Sequence, residues 1–212
     1  MKSLLLGVLA LIILGVGGFL YRSALEHPAQ QIACPLDARM CPDGTSVART
    51  GPSCSFPECP PPNVSLPNFG ISFAVPEGFE SISSPDDTSI AAFGLSSDTS
   101  SASIIIRRYP IPASTTPLTV IQQTAIGGAS GLPVPVTAFT STTLGTHRFT
   151  VVSLERFEGV VDTAFYLARG TDVLRFDAID TGVLRWMDSS LDASTLPANI
   201  ALRKLLRTLQ GE

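Results

Sequence analysis

The rhythm of apolar and polar positions changes along the chain. From Ser3 to Tyr21 no charge interrupts a run in which twelve of nineteen residues are Leu, Ile, Val or Phe. As a helix this run reaches about 28 Å, close to the roughly 30 Å hydrocarbon core of a bilayer. Later the period falls to two. Ile71, Phe73 and Val75 share one face of a strand over Gly70–Val75, which Pro76-Glu77-Gly78 breaks. Further β-rich runs cover Ser103–Tyr109, Phe149–Leu154, Thr163–Ala168 and Asp172–Ile179. In the last, Leu174, Phe176 and Ala178 oppose Arg175 and Asp177, the alternation of an antiparallel sheet with one half-polar face. A 3.6-residue period marks two helices. One starts at Thr116-Pro117-Leu118, runs to about Ile126 and stops at Gly127-Gly128. The other follows Pro197 and carries Leu202, Leu205, Leu206 and Leu209 on one stripe, with Arg203, Lys204 and Arg207 off it. Such a stripe packs on a sheet more often than on a membrane surface. The predicted class is α+β, an antiparallel sheet flanked by helices.

The amino-terminal run is read as an uncleaved signal anchor. It is longer than the about 7–15 residues of a cleaved signal, and its small pair Gly15 and Gly17 lies inside the run rather than after it. Arg22 and Lys2 orient it weakly, so the cysteines decide which side the rest occupies. All four, Cys34, Cys41, Cys54 and Cys59, fall within 26 residues in the spacing C-x6-C-x12-C-x4-C, and none follows. A dense, even-numbered set just beyond an export segment reads as two disulfides in an oxidising compartment. A thiolate zinc site needs close C-x2–4-C pairs on both sides of a spacer, and Cys34 and Cys41 are too far apart for one. Three connectivities are open and spacing does not choose, although Cys34–Cys54 with Cys41–Cys59 is slightly preferred.

Five of the eleven residues from Pro57 to Pro67 are Pro, the composition of a polyproline spacer about 20–30 Å long. The expected organisation is an anchor at 1–22, a stalk at 23–33, a disulfide module at 34–59, a Pro-rich linker at 60–67 and a main domain at 68–210. That domain opens with Gly70-x-x-Phe73-x-x-Pro76-x-x-Phe79, which resembles the GFSF-x-x-P-x-x-W start of PsbP-like domains, with Phe79 in place of Trp. The order of β-rich hairpins, short helix, strand pair and closing amphipathic helix is similar over about 140 residues. The resemblance implies an α/β/α sandwich and an accessory or binding role, and it carries no catalytic residues. The module loosely resembles Kazal-type inhibitors in its Asp43-Gly44 turn and its Cys54-Ser55-Phe56, with four cysteines instead of six. Its nearer likeness is to short Cys-rich segments of uncharacterised anchored bacterial proteins.

Charge and motif content narrow the function. Among 212 residues, 14 Lys and Arg stand against 18 Asp and Glu, a net charge of -4, and only Lys2 and Lys204 are lysines. Nucleic-acid binding needs clustered cations and is not expected. The histidines, His27 and His147, are isolated. Gly127–Gly131 holds Ser130 but lacks the G-x-S-x-G order of a nucleophile elbow. Asp86, Asp87 and Asp98 lack the order of a calcium loop, and Trp186 and Tyr166 are single aromatics. No catalytic, cofactor or metal residue is assigned. The expectation is a single-pass protein of the cell membrane, held through residues 3–21, whose extracytoplasmic domain binds an envelope protein partner without catalysis. One alternative is a hydrolase whose site is assembled by folding, around His147 with a carboxylate and a hydroxyl. Another is a protease inhibitor using Arg39 or Arg49 as bait.

Overall fold

The structure, a computed structural model, describes residues 7, 12, 15–18, 21–22, 33–41, 45–96, 101–127 and 130–211. Most of the predicted anchor lies outside these residues. Among the described residues no helix is long and apolar enough to cross a membrane. The chain divides into two compact units, residues 1–39 with 46–58, and residues 40–45 with 59–212.

All four cysteines are oxidised, as Cys34–Cys54 and Cys41–Cys59, with Cα separations of 5.3 and 5.6 Å. No free thiol remains for zinc. Cys34–Cys54 closes the smaller unit, in which Gly51 and Cys54 take positive φ of 73° and 49° and Cys54 N donates to Gly51 O. Strands β1 (Ala38–Met40) and β2 (Ser46–Ala48) pair in a two-stranded ribbon. Cys41–Cys59 belongs to the larger unit, so the predicted module at 34–59 is shared between the two.

In the larger unit β3 (Val64–Leu66) pairs antiparallel with β4 (Ile71–Phe73). The strand expected at Gly70–Val75 is therefore shorter, and it stands in a separate hairpin. Next come β5 (Glu80–Ser81), β6 (Ser89–Ser96) and β7 (Ser101–Pro110). Helix α1 (Pro117–Thr124) starts at Thr116, whose Oγ1 accepts from Thr119 N, and Pro117 supplies the φ that a first helical position favours. The small hairpin β8 (Ile126–Gly127) and β9 (Leu132–Pro133) precedes β10 (Thr140–Leu144), β11 (His147–Phe157), β12 (Val160–Ala168) and β13 (Asp172–Thr181). Helix α2 (Pro197–Thr208) follows.

Seven strands form one antiparallel sheet in the order β10-β11-β12-β13-β7-β6-β5. The turn from β11 to β12 uses two residues at positive φ, Glu158 and Gly159, the geometry that matches strand twist in tight hairpins. On one face Phe149 meets Phe165 and Phe176 edge to face, at centroid distances of 6.5 and 6.1 Å. The α2 stripe seals this face: Leu202, Leu205 and Leu206 are fully buried in the same cluster. Each such leucine contributes about 1.5–3 kcal/mol. On the opposite face Val120 and Ile121 of α1 pack on Val152, Ala164, Tyr166 and Val173.

One expectation needs correction. The alternation in β13 does not expose a polar face: Asp177 is fully buried, and Arg175 keeps only 12% of its side chain exposed. Pro60–Pro62, placed in the expected linker, belong to the larger unit and line a cavity within it.

Candidate functional site

That cavity, of about 900 Å³, is the candidate functional site. Cys59 and Pro60–Pro62 form one wall, the Gly145–His147 turn another, and Arg207–Gly211 the floor. Each wall has a local cause. The Cys41–Cys59 bond fixes the start of the proline run. Leu144 pairs with His147 across β10 and β11, which leaves Gly145 and Thr146 as a two-residue turn. Gly145 has φ 59°, and a Cβ there would lie 2.7 Å from Arg207 O, so the turn presses directly on the last turn of α2. Beyond α2, Gln210 pairs through its backbone with Ser72 at 2.8 and 3.0 Å, which ties the end of the chain to β4.

His147 sits in this cleft half-buried. Its Nε2 lies 3.0 Å from Gly211 O and its Nδ1 3.2 Å from Thr146 Oγ1. A carbonyl only accepts, so Nε2 carries the proton and Nδ1 accepts from the threonine hydroxyl. Of the partners that a hydrolytic site needs, the hydroxyl is therefore present. No acidic residue lines the cleft among the described residues. The imidazole spends its donor on a backbone carbonyl, which orients the ring without supplying a carboxylate.

The most charged arrangement in the unit lies elsewhere, under α1. Arg175 Nε donates to Asp177 Oδ1 at 2.5 Å, and Arg107 Nη1 donates to Asp177 Oδ2. Arg175 Nη1 also donates to Thr124 O, a free carbonyl at the end of α1, at 2.8 Å. Arg107 Nε donates to Asp86 Oδ2 at 3.0 Å. Asp162 of β12 stands 3.8 Å from Arg175, and its Oδ1 has no hydrogen-bond partner among the described residues. Burial lifts the Asp162 carboxyl well above the ordinary range, and the charge of Asp177 adds to this. Burial raises Asp177 as well, against the pull of Arg175 and Arg107. Tyr166 is pushed up to about 12 by burial. Their bonds to one another and to the end of α1 give these groups a structural role.

This environment makes a prediction. A carboxyl raised by burial contributes most to folding at low pH and loses that contribution as pH rises through its folded value. Asp162→Asn keeps the shape and removes the titration. Relative to wild type, the variant should gain stability progressively from pH 4 to pH 8 in urea unfolding. A difference independent of pH would contradict the assignment.

The remaining sequence candidates have structural roles. Burial alone would raise Asp86, but bonds from Thr88, Ser89 and Arg107 outweigh it and hold the carboxyl well below its usual range. Ser130 Oγ donates to Gly127 O within a turn. Tyr166 is core, and Trp186 stacks edge-on against Phe157. Arg49 binds both oxygens of Asp37, donates to Cys54 O and lies 4.2 Å over the Phe56 ring. Arg39 donates to Pro57 O. Both guanidiniums are thus engaged within the smaller unit. His27 and Asp98 lie outside the described residues. Sequence reading named His147 but missed the rest of the cleft, because its walls come from three distant segments.

Neither a protein-family profile nor any curated protein matches the chain. Among solved structures, the chain is similar to a protein from Bacteroides thetaiotaomicron VPI-5482, with 9% identity and a TM-score of 0.41 over 67% of this chain. The match spans 45% of that protein.

Proposed function

We propose that the chain is a membrane-tethered, extracytoplasmic module that binds an envelope protein and performs no catalysis. The observation that carries the binding reading is the cleft at Pro60–Pro62, Gly145–His147 and Arg207–Gly211, whose histidine is tied to a backbone carbonyl and not to an acid. The two disulfides support the oxidising side of a membrane. Residues 3–21 serve as the single-pass anchor in this reading, on the strength of their length and apolarity. Helices on opposite faces of an antiparallel sheet support a PsbP-like α/β/α sandwich.

Site-specific photo-crosslinking tests the cleft. A crosslinker at Gln210, exposed and lining the cleft, should capture one protein from native membranes in the full chain, whereas one at exposed Glu80 on β5 should not. Equal capture from both positions, or none from Gln210, would remove the cleft from the interaction. Alkaline carbonate extraction tests the tether separately: the chain should stay in the membrane pellet, and release into the supernatant would refute anchoring.

A further inference from the structure

Asp180, at the end of β13, differs from the other buried acids of the larger unit. Asp177 faces two guanidiniums, and Asp162 stands near one. Asp172 is gripped by Arg169 and Arg108. Asp180 is 4% exposed and has no cationic partner among the described residues. It reaches across to α2, whose own N-cap, Leu196, offers no side-chain acceptor, and takes a bond from Ala198 N at 2.9 Å. The Asn199 N–H also points to it. A helix amino terminus contributes roughly half a positive charge, so an ionised Asp180 retains about half of its charge uncompensated. Consistent with this, burial outweighs those amide bonds and raises its carboxyl.

Asp180 also lines a cavity of about 350 Å³. The surrounding wall is apolar, formed by Leu95, Ala102, Val183, Leu196 and Pro197. The two hydroxyls at the cavity, Ser101 and Thr181, are hydrogen-bonded to each other at 2.7 Å, which leaves Asp180 as its main polar attraction. A concave, mainly apolar volume of a few hundred Å³ with a converging polar group has the build of a small-molecule site. In a low-dielectric wall, an incompletely compensated carboxylate discriminates strongly by ligand charge.

We propose that this cavity binds a small organic ammonium with a short apolar body, its nitrogen on the Asp180 carboxylate and its hydrocarbon against Leu95, Val183 and Leu196. The site is separate from the cleft at His147 and stands whether or not a protein occupies that cleft.

Three six-carbon probes differing only in their head group test it on the full chain: n-hexylammonium, n-hexanol and hexanoate. Calorimetry should give the ammonium at least tenfold tighter binding than the alcohol, with hexanoate weakest. NMR shifts on adding the ammonium should concentrate at Leu95, Ala102, Val183 and Leu196. Asp180→Asn keeps an acceptor for Ala198 N while removing the charge, and should cost the ammonium at least tenfold with little change for hexanol. Equal affinities for ammonium and alcohol, shifts centred elsewhere, or no ammonium binding at millimolar concentration would each overturn the proposal. Unchanged ammonium binding in Asp180→Asn would do the same. Should that variant fail to fold, the ranking of the three probes and the shift map on the unaltered chain decide the matter.

Discussion

Asp177→Ala is expected to lower the unfolding free energy of the larger unit by about 4 kcal/mol, within the 3–5 kcal/mol typical of removing one partner from a buried ion pair. The cause is what the substitution leaves behind. Arg175 and Arg107 sit directly opposite each other on β13 and β7, with 12% and 14% of their side chains exposed. Asp177 is the anion that both of them bind, and without it two like charges face each other in a poorly solvated layer. Asp86 and the Thr124 carbonyl satisfy only part of the remaining donor capacity. Asp162, 3.8 Å from Arg175, is the group placed to take over, so adding Asp162→Asn to Asp177→Ala should cost more than the two single changes together. Urea unfolding of the four proteins measures both effects. A loss below about 1 kcal/mol for Asp177→Ala would mean that the arginines find water.

The two disulfides should have separable effects. Replacing Cys41 and Cys59 by serine opens a closure of 18 residues in the larger unit, worth about 3 kcal/mol by chain entropy. For a unit of this size that is a melting shift of roughly 6–12 °C. The same change at Cys34 and Cys54 opens a similar closure of 20 residues. It lies in the smaller unit, and melting of the main sheet should stay within about 1 °C of wild type. Calorimetry on both double variants compares the two. A fall in sheet melting that is equal for both would show that the units unfold as one.

The elements most readable in the sequence were those where burial and periodicity agree. The leucines of α2 and the strands β7, β11, β12 and β13 fall where the pattern placed them, and the preferred cysteine pairing is the one formed. Strand β6 escaped notice because its small residues, Ala91, Ala92 and Gly94, carry little periodic signal. Strand β10 escaped because Thr140–Thr143 are all hydroxyl residues and carry no apolar alternation. The harder failure concerned Arg175 and Asp177. Alternating charge on a strand normally means solvent, and only the three-dimensional arrangement brings Arg107 and α1 over that face to make burial tolerable. The Asp180 cap was equally hidden, since a local search for a helix cap looks beside Leu196 and not 16 residues earlier. The candidate cleft joins segments around residues 60, 146 and 209, a separation that no motif spacing encodes.

The crossed cysteine pairing also has a mechanical consequence. Residues 34 and 59 are 25 positions apart, which stretched out would span about 85 Å. With Cys34 bonded to Cys54 at a Cα separation of 5.3 Å, the covalent route from 34 to 59 shortens to one bridge and five residues, about 22 Å at full extension. Any tension pulling the amino-terminal segment away from the sheet is thus borne by a short, nearly inextensible strap. Chemical reduction of that bridge would restore the full length of chain between residues 34 and 59.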